Sequence, residues 1–230
     1  MTILVIDTSG PVCGTAVMDE ERVYSEFTAQ NRNTHSVNLM PMAEAALEAA
    51  GRKIGDMDAV AAVTGPGSFT GVRIGVATAK GLAHGAGIRC AAVDALEALS
   101  RSAGGFEGVI CPIQDARAGQ VYGAAFRDGN RLMPDAPMKL NEYIEKIRGL
   151  GERFLFTGDG TAVHWESIRE ALGDRAELAP VHLRFLRPSA AGALALEKGE
   201  YTDYLHLEAS YLRPPNAQKN KKLLEAMANG

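Results

Sequence analysis

A glycine-rich run between an apolar segment and a helix-like segment most constrains how this chain can fold. Residues 65–75 read GPGSFTGVRIG and hold four glycines and one proline. Residues 59–63 before them have the pattern of a buried strand, and Ser68 or Thr70 can cap the helix that follows. A strand, a glycine-rich turn and a helix N-terminus form a potential anion site, yet glycines also let a helix pack tightly against its neighbour. The bare pattern leaves both interpretations open.

The order of predicted elements repeats along the chain. Short strands bounded by turn residues and helices with apolar stripes alternate in the same sequence on both sides of Gly104-Gly105. In the first half we predict strands at 2–7, 12–18, 22–28, 59–63 and 89–93 and helices at 36–50, 70–84 and 95–102. In the second half we predict strands at 109–114, 120–126, near 132 and at 154–156, and helices at 141–148 and 161–171.

This repeat predicts an α/β fold made of a duplicated β-β-β-α-β-α unit, with mixed sheets in two lobes and a cleft between them. Residues 1–104 form the first lobe and residues 105–188 a reduced second lobe, while the helix 189–199 packs back on the first. The 230 residues suffice for such a core. The net charge of −4 does not favour independent binding to nucleic acid. The locally basic residues 214–230 are predicted to be a flexible tail.

The sequence lacks both the segments that direct a protein to a membrane and the paired cysteines of a disulfide framework. No segment has the roughly 18 consecutive apolar residues that a membrane span needs, and none reads as a signal peptide. The three cysteines are scattered without CxxC spacing, which favours reduced side chains over a disulfide framework or a metal site. We therefore predict a cytoplasmic protein without a membrane contact.

The residues Asp7, Thr8 and Ser9 follow the first strand and are the candidate nucleotide contacts. In a nucleotide site the carboxylate would position a metal-bound water and the hydroxyls would cradle phosphates, although any hairpin turn uses the same residue types. No Walker-type GKS or GKT is present, and no lysine or arginine lies in the loop. The turn Gly158-Asp159-Gly160 either approaches a base or ribose or merely starts a helix.

Catalytic constellations are missing from the sequence. His35 opens a helix, but the residue one turn later is Leu39, so the paired histidines of a helical metal site are absent. There is also no Gly-x-Ser-x-Gly elbow. We predict neither catalytic residues nor a metal.

The two long helices of the first half have more apolar surface than one sheet can cover. The first is apolar nearly all round, and the second has small residues at four-residue spacing. The surplus indicates an interface with another chain, or a neighbouring helix of the same lobe. The candidate interface residues are His35, Leu39, Met40, Ala43, Leu47, Gly71, Val72, Gly75, Val76 and Ala79.

Taken together, these residues resemble the TsaB (YeaZ) family, in the glycoprotease-like branch of the actin, sugar-kinase and heat-shock ATPase superfamily. The resemblance spans most of the chain. It is carried by ILVIDTS at 3–9, His35-Ser36 with Leu39 and Pro41, the run at 65–75, AKGL at 79–82, DAR at 115–117 with QVY at 120–122, and GDG at 158–160.

The resemblance implies a ribonuclease H-like, actin-like fold and a role in threonylcarbamoylation of the adenosine next to the tRNA anticodon. It implies a non-catalytic partner and activator of TsaD, which carries two metal-binding histidines where this chain departs at Leu39. A TsaE-type ATPase joins the pair, tRNA is contacted only indirectly, and the chain forms a homodimer when alone. No cofactor is implied, except a nucleotide at an interface shared with TsaD. The alternatives are an independent ATP-binding ATPase or kinase, and a metalloprotease.

Overall fold

Two five-stranded mixed sheets organise the computed structural model, which describes residues 1–31 and 33–212. The first sheet has the order β3-β2-β1-β4-β5, in which β1 pairs antiparallel with β2 and parallel with β4. Its elements are β1 Ile3–Asp7, β2 Cys13–Met18, β3 Val23–Ala29, α1 His35–Ala49, β4 Ala59–Gly65, α2 Phe69–Ala86, β5 Arg89–Asp94 and α3 Ala95–Ser102.

The second sheet repeats this order. Read from its other edge, it runs β8-β7-β6-β9-β10, so the central strand again has one antiparallel and one parallel neighbour. The predicted two-lobed duplicated α/β unit is therefore confirmed. Its elements are β6 Val109–Asp115, β7 Gln120–Arg127, β8 Asn130–Lys139, α4 Leu140–Ile147, β9 Phe154–Thr157, α5 Gly160–Leu172 and β10 Ala176–Leu178, and the helix α6, Pro188–Lys198, follows them.

Two strands of the second lobe differ from the sequence-based expectation. β8 is ten residues long although it contains Pro134 and Pro137, because it lies at the sheet edge, where a missing N–H donor is tolerated. β10 was not predicted, since three residues are too few to show a periodicity. The predicted tail 214–230 lies outside the described residues.

The strand β1 lies in the middle of the first lobe and has both faces covered. Ile3 and Val5 pack in one core cluster with residues of α3 and α6, whereas Leu4 and Ile6 pack in another with residues of α1 and α2. Helices on both faces explain why the segment is uniformly apolar instead of alternating. The loop after Asp7 is thereby held at one fixed edge of the sheet.

Residues 200–212 form a C-terminal strap that returns to the first lobe. Cys90 and Thr202 exchange two backbone hydrogen bonds of 2.8 Å, and the Ser210 N–H donates to the Thr64 carbonyl oxygen at 2.8 Å. Leu207 is buried in the core cluster of α1 and α2, and the Lys80 ammonium donates to its carbonyl oxygen at 3.2 Å. The strap and α6 thus complete a lobe that the first hundred residues begin.

The two lobes also contact each other directly. Ala124 and Phe126 of β7 belong to the same core cluster as residues of α3 and α6. Arg131 of β8 forms ion pairs with Asp94 at 3.2 Å and with Glu97 at 3.1 Å, both in the first lobe. The cleft between the lobes therefore has a packed base.

In the described part of the chain, no helix combines the length and apolarity that crossing a membrane requires.

Candidate functional site

The N-terminus of α2 is occupied by the chain's own backbone. The Ser68 N–H donates to the Ser9 carbonyl oxygen at 2.7 Å, and the Thr8 hydroxyl donates to the Gly71 carbonyl oxygen at 2.7 Å. A Cβ atom at Gly71 would lie 2.1 Å from the Thr8 carbonyl oxygen, and one at Gly75 would lie 2.5 Å from the Thr8 hydroxyl. The glycines of α2 therefore serve the close approach of the helix to the β1–β2 loop.

The candidate nucleotide contacts Asp7, Thr8 and Ser9 are all buried where the β1–β2 loop meets α2, and they are hydrogen bonded within the protein. The backbone N–H and the hydroxyl of Ser9 donate to Asp7 Oδ1 at 2.8 Å and 2.7 Å. Together with the Thr8 hydroxyl, these donors have protein acceptors already. The loop is built as a connector between β1 and α2, and its donors are not presented toward the cleft for a phosphate.

Two carboxyl groups at the cleft have raised pKa values. Burial raises the pKa of Asp7 from 3.8 to about 6, against the opposing effect of the two Ser9 hydrogen bonds and the nearby His35. Burial also raises the pKa of Asp159, again to about 6, and the neighbouring Asp115 adds to the rise. Perturbed carboxyls near a cleft mark a candidate binding site, so this pair marks the part of the cleft at the ends of β1 and β9.

The raised pKa of Asp7 predicts a pH dependence of stability. Because the folded-state value lies above the unfolded one, the contribution of Asp7 is most favourable below about pH 4 and declines as the pH rises to about 6. The Asp7→Asn variant keeps the acceptor for Ser9 and removes this decline, so at pH 7.5 we expect its free energy of unfolding to exceed the wild-type value by up to about 3 kcal/mol. Urea unfolding between pH 4 and 7.5 with a chelator present measures it, and parallel profiles for the two proteins would contradict it.

The cleft itself has a volume of about 820 Å³ and is lined from both lobes. The second lobe contributes Asp115, whose carboxylate lies 3.3 Å from the Arg117 guanidinium. At the rim on the first lobe, the Arg73 guanidinium lies 3.8 Å above the Phe69 ring and donates to the Tyr211 hydroxyl at 2.8 Å. Basic side chains near the cleft are thus engaged with a carboxylate or with aromatic residues.

His35 also lines the cleft, at the first position of α1. Its Nε2 atom is 2.9 Å from the Gly10 carbonyl oxygen, and its Nδ1 atom is buried without a protein partner. Leu39, one turn later, is buried in the core cluster of α1 and α2. Among the described residues, no group of three or more His, Cys, Asp or Glu side chains is arranged to hold a metal ion. His35 therefore positions the β1–β2 loop.

Most residues predicted to face a partner are instead buried within the monomer. Seven of them are buried in this structure, because the helix stripes to which they belong pack against the sheet and the β1–β2 loop of their own lobe. These are Leu39, Ala43, Gly71, Val72, Gly75, Val76 and Ala79. Of the other three, Met40 is 47% exposed, and His35 and Leu47 are half-buried.

A different set of side chains forms the exposed surface of the two helices. α1 and α2 pack side by side, and Val37, Met40 and Pro41 point to solvent from α1. From α2, a row of small residues at four-residue spacing points the same way, and two of them have open space where a Cβ would stand. We call this surface the α1–α2 face, consisting of Val37, Met40, Pro41, Ala77, Gly81 and Gly85. The spacing of Ala77, Gly81 and Gly85 was visible in the sequence, but it matches that of Gly71, Gly75 and Ala79.

The chain is similar to proteins of one named family over nearly its whole length. The family model described as TsaD, tRNA N6-adenosine threonylcarbamoyltransferase, matches residues 23–220. The tRNA threonylcarbamoyladenosine biosynthesis protein TsaB of Bacillus subtilis is 36% identical over 222 residues, covering 95% of this chain and 96% of that protein. The solved structure of YeaZ from Pseudomonas aeruginosa matches with a TM-score of 0.72 and 27% identity, over 92% of this chain and 99% of that one.

A more distant solved structure shows the fold alone. The activator of 2-hydroxyisocaproyl-CoA dehydratase from Clostridium difficile matches with a TM-score of 0.54 and 9% identity, over 86% of this chain and 95% of its own. The neighbours are YeaZ and folds of the actin-like ATPase and sugar-kinase type, which confirms the predicted fold class.

Proposed function

Because this chain belongs to the TsaB family of tRNA threonylcarbamoyladenosine biosynthesis proteins, we propose that it acts in this modification as a non-catalytic partner and activator of TsaD. The family name places it in the pathway that forms threonylcarbamoyladenosine in tRNA. The partner role is carried by one observation, the exposed apolar α1–α2 face. A TsaE-type ATPase joining the pair, self-association of the isolated chain, indirect contact with tRNA and a cytoplasmic location belong to the same proposal.

The composition of the α1–α2 face supports its use in assembly. Val37 is 60% exposed and Met40 is 47% exposed, although both are large apolar side chains. A Cβ added at Gly81 or Gly85 would have no atom within 4 Å outside its own helix, so a partner helix can approach the backbone of α2 closely there. Exposed ionisable side chains occur on both helices, with Glu44 on α1 and Arg73 and His84 on α2. An apolar centre with a polar rim is the usual anatomy of a protein interface.

The interior of the cleft supports the non-catalytic part of the proposal. The loop residues 7–9 use their hydroxyl and amide donors within the protein. The carboxylate of Asp115 is paired with Arg117, and no described side chains form a metal cluster. A phosphate that reached this loop would therefore have to compete with protein acceptors for these donors. We propose that the isolated chain needs no cofactor and that a nucleotide binds only where TsaD contributes to the site.

Replacing Met40 by glutamate tests the face. A charge at the centre of an apolar interface must be desolvated without a partner, so the Kd of the complex with TsaD is expected to rise by about 30-fold or more. Calorimetric titration with purified TsaD measures the affinity, and reconstituted threonylcarbamoylation of tRNA measures the activity. Val163→Glu is the matched control, since Val163 is 63% exposed on α5 of the second lobe. It should bind TsaD like the wild type.

The possible failures of this experiment are distinguishable. If the wild-type chain formed no complex with TsaD, or if modification were normal without it, the proposed function would be wrong. If the complex formed but Met40→Glu bound as tightly as Val163→Glu, the function would stand and the α1–α2 face would not be its interface. Circular dichroism of both variants checks that each is folded. We expect both to fold, because Met40 and Val163 are exposed to solvent.

A further inference from the structure

The outer part of the C-terminal strap, residues 203–212, lies on the surface of the first lobe. Most of its side chains are exposed or half-buried, and Leu205 is 62% exposed. Within these ten residues only Leu207, at 1% exposed, is fully buried. A segment with a single buried anchor has little apolar burial to lose, so local opening costs it less free energy than global unfolding costs the core.

A polar strip of α2, consisting of Arg73, Lys80 and His84, contacts this outer strap along its length. The three residues are spaced by seven and four positions, which places them on the same side of the helix. Lys80 lies in the middle of the strip, and its ammonium donates to the carbonyl oxygens of Leu205 at 3.3 Å and Leu207 at 3.2 Å. One charged donor thus holds the backbone of the strap at its buried anchor.

Aromatic contacts flank the two Lys80 hydrogen bonds. On one side, the rings of His84 and Tyr204 have their centroids 4.3 Å apart. On the other side, toward the cleft, Arg73 donates to the Tyr211 hydroxyl at 2.8 Å. Residues 210–212 at the end of the strap line the large cleft. The outer strap is therefore one wall of the cleft, and surface side chains of a single helix hold much of it in place.

We propose that residues 203–212 detach from α2 as one unit while the first lobe remains folded, and that Lys80 is the latch that keeps them closed beside the cleft. The inner end of the strap has a separate attachment, because Thr202 exchanges two backbone hydrogen bonds with Cys90 of β5. Thr202 is therefore the pivot of the opening. When the unit detaches, the cleft loses the wall formed by residues 210–212 and opens further to solvent.

Hydrogen exchange of single amides, followed by NMR on the full chain alone and corrected for intrinsic rates, tests this latch. The reporter is the Ser210 N–H, which donates to the Thr64 carbonyl oxygen at 2.8 Å. In the wild type it should exchange about 100-fold or more faster than the amides of β1, because local opening precedes global unfolding. Lys80→Met keeps the aliphatic stem and removes the donor, so exchange at Ser210 should become about tenfold faster while β1 is unchanged.

Lys146→Met is the matched control, since it removes an ammonium that pairs with Glu142 at 3.1 Å on α4 of the second lobe. It should leave exchange at Ser210 unchanged. Low urea concentrations should speed exchange in β1 much more than at Ser210, because local opening exposes little surface.

Two results would overturn the inference. If Ser210 and β1 exchanged at the same rate with the same urea dependence, the strap would open only when the chain unfolds. If Lys80→Met exchanged at Ser210 like Lys146→Met, Lys80 would not be the latch. Both measurements use the chain alone, so they do not depend on the proposed role with TsaD.

Discussion

The Gly71→Ala variant is expected to lose about 3 kcal/mol or more of its free energy of unfolding. The added Cβ would lie 2.1 Å from the Thr8 carbonyl oxygen, and backbone atoms cannot swing aside as a flexible side chain can. Moving the helix away would also break the hydrogen bond from the Thr8 hydroxyl to the carbonyl of residue 71. Urea unfolding followed by circular dichroism gives the free energy directly.

Gly81→Ala is the matched control for this variant. Gly81 lies in the same helix and is exposed, and a Cβ added there would have no atom within 4 Å outside its own helix. Alanine there should raise the free energy of unfolding by up to about 1 kcal/mol, because it lowers the entropy lost on folding. Equal effects at the two positions would mean that the contact between α2 and the β1–β2 loop is not what requires glycine.

The second large effect is expected from Val76→Glu. Val76 is 7% exposed and packs in the core cluster of α1 and α2, so a carboxylate there would be buried without a partner. The expected loss is about 4 kcal/mol or more, enough to unfold much of a protein of ordinary stability. Circular dichroism and a thermal scan of the purified variant measure it.

Met40→Glu provides the comparison for Val76→Glu, since it introduces the same side chain on the neighbouring helix at a position that is 47% exposed. Met40→Glu should remain folded and lose affinity for TsaD. A Val76→Glu variant that folded normally and lost only its affinity for TsaD would return Val76 to the partner surface. The pair therefore separates a core position from an interface position by experiment.

The sequence predicted the elements of the fold well, but it could not tell which face of α2 is buried. Gly71, Gly75 and Ala79 form one row of small residues, and Ala77, Gly81 and Gly85 form another. Both rows have the same spacing, and only the first meets another backbone, that of the β1–β2 loop. The distinction depends on tertiary position, which a helical periodicity does not contain.

The candidate site was only partly predictable for a similar reason. Asp7 and Asp159 were each recognised at the end of a predicted strand, but they are 152 positions apart, and nothing local indicates that they line one small cavity. Gln114, which also lines this cavity, gave no signal, because a single glutamine at a strand end is common. The strap escaped prediction as well, since residues 200–212 have no periodic pattern and are ordered by contacts with Thr64, Lys80 and Cys90.

The return of the C-terminal strap to the first lobe sets the order in which a growing chain can finish folding. During synthesis β1 emerges before the second lobe, but α6, which with α3 covers one face of its sheet, emerges after the second lobe. The partner of the Thr64 carbonyl, Ser210, emerges later still. The second lobe, whose described strands and helices are contiguous in sequence, has its elements together first. The lobe whose strands are translated first is therefore completed last, and part of one face of its sheet is uncovered until α6 has left the ribosome.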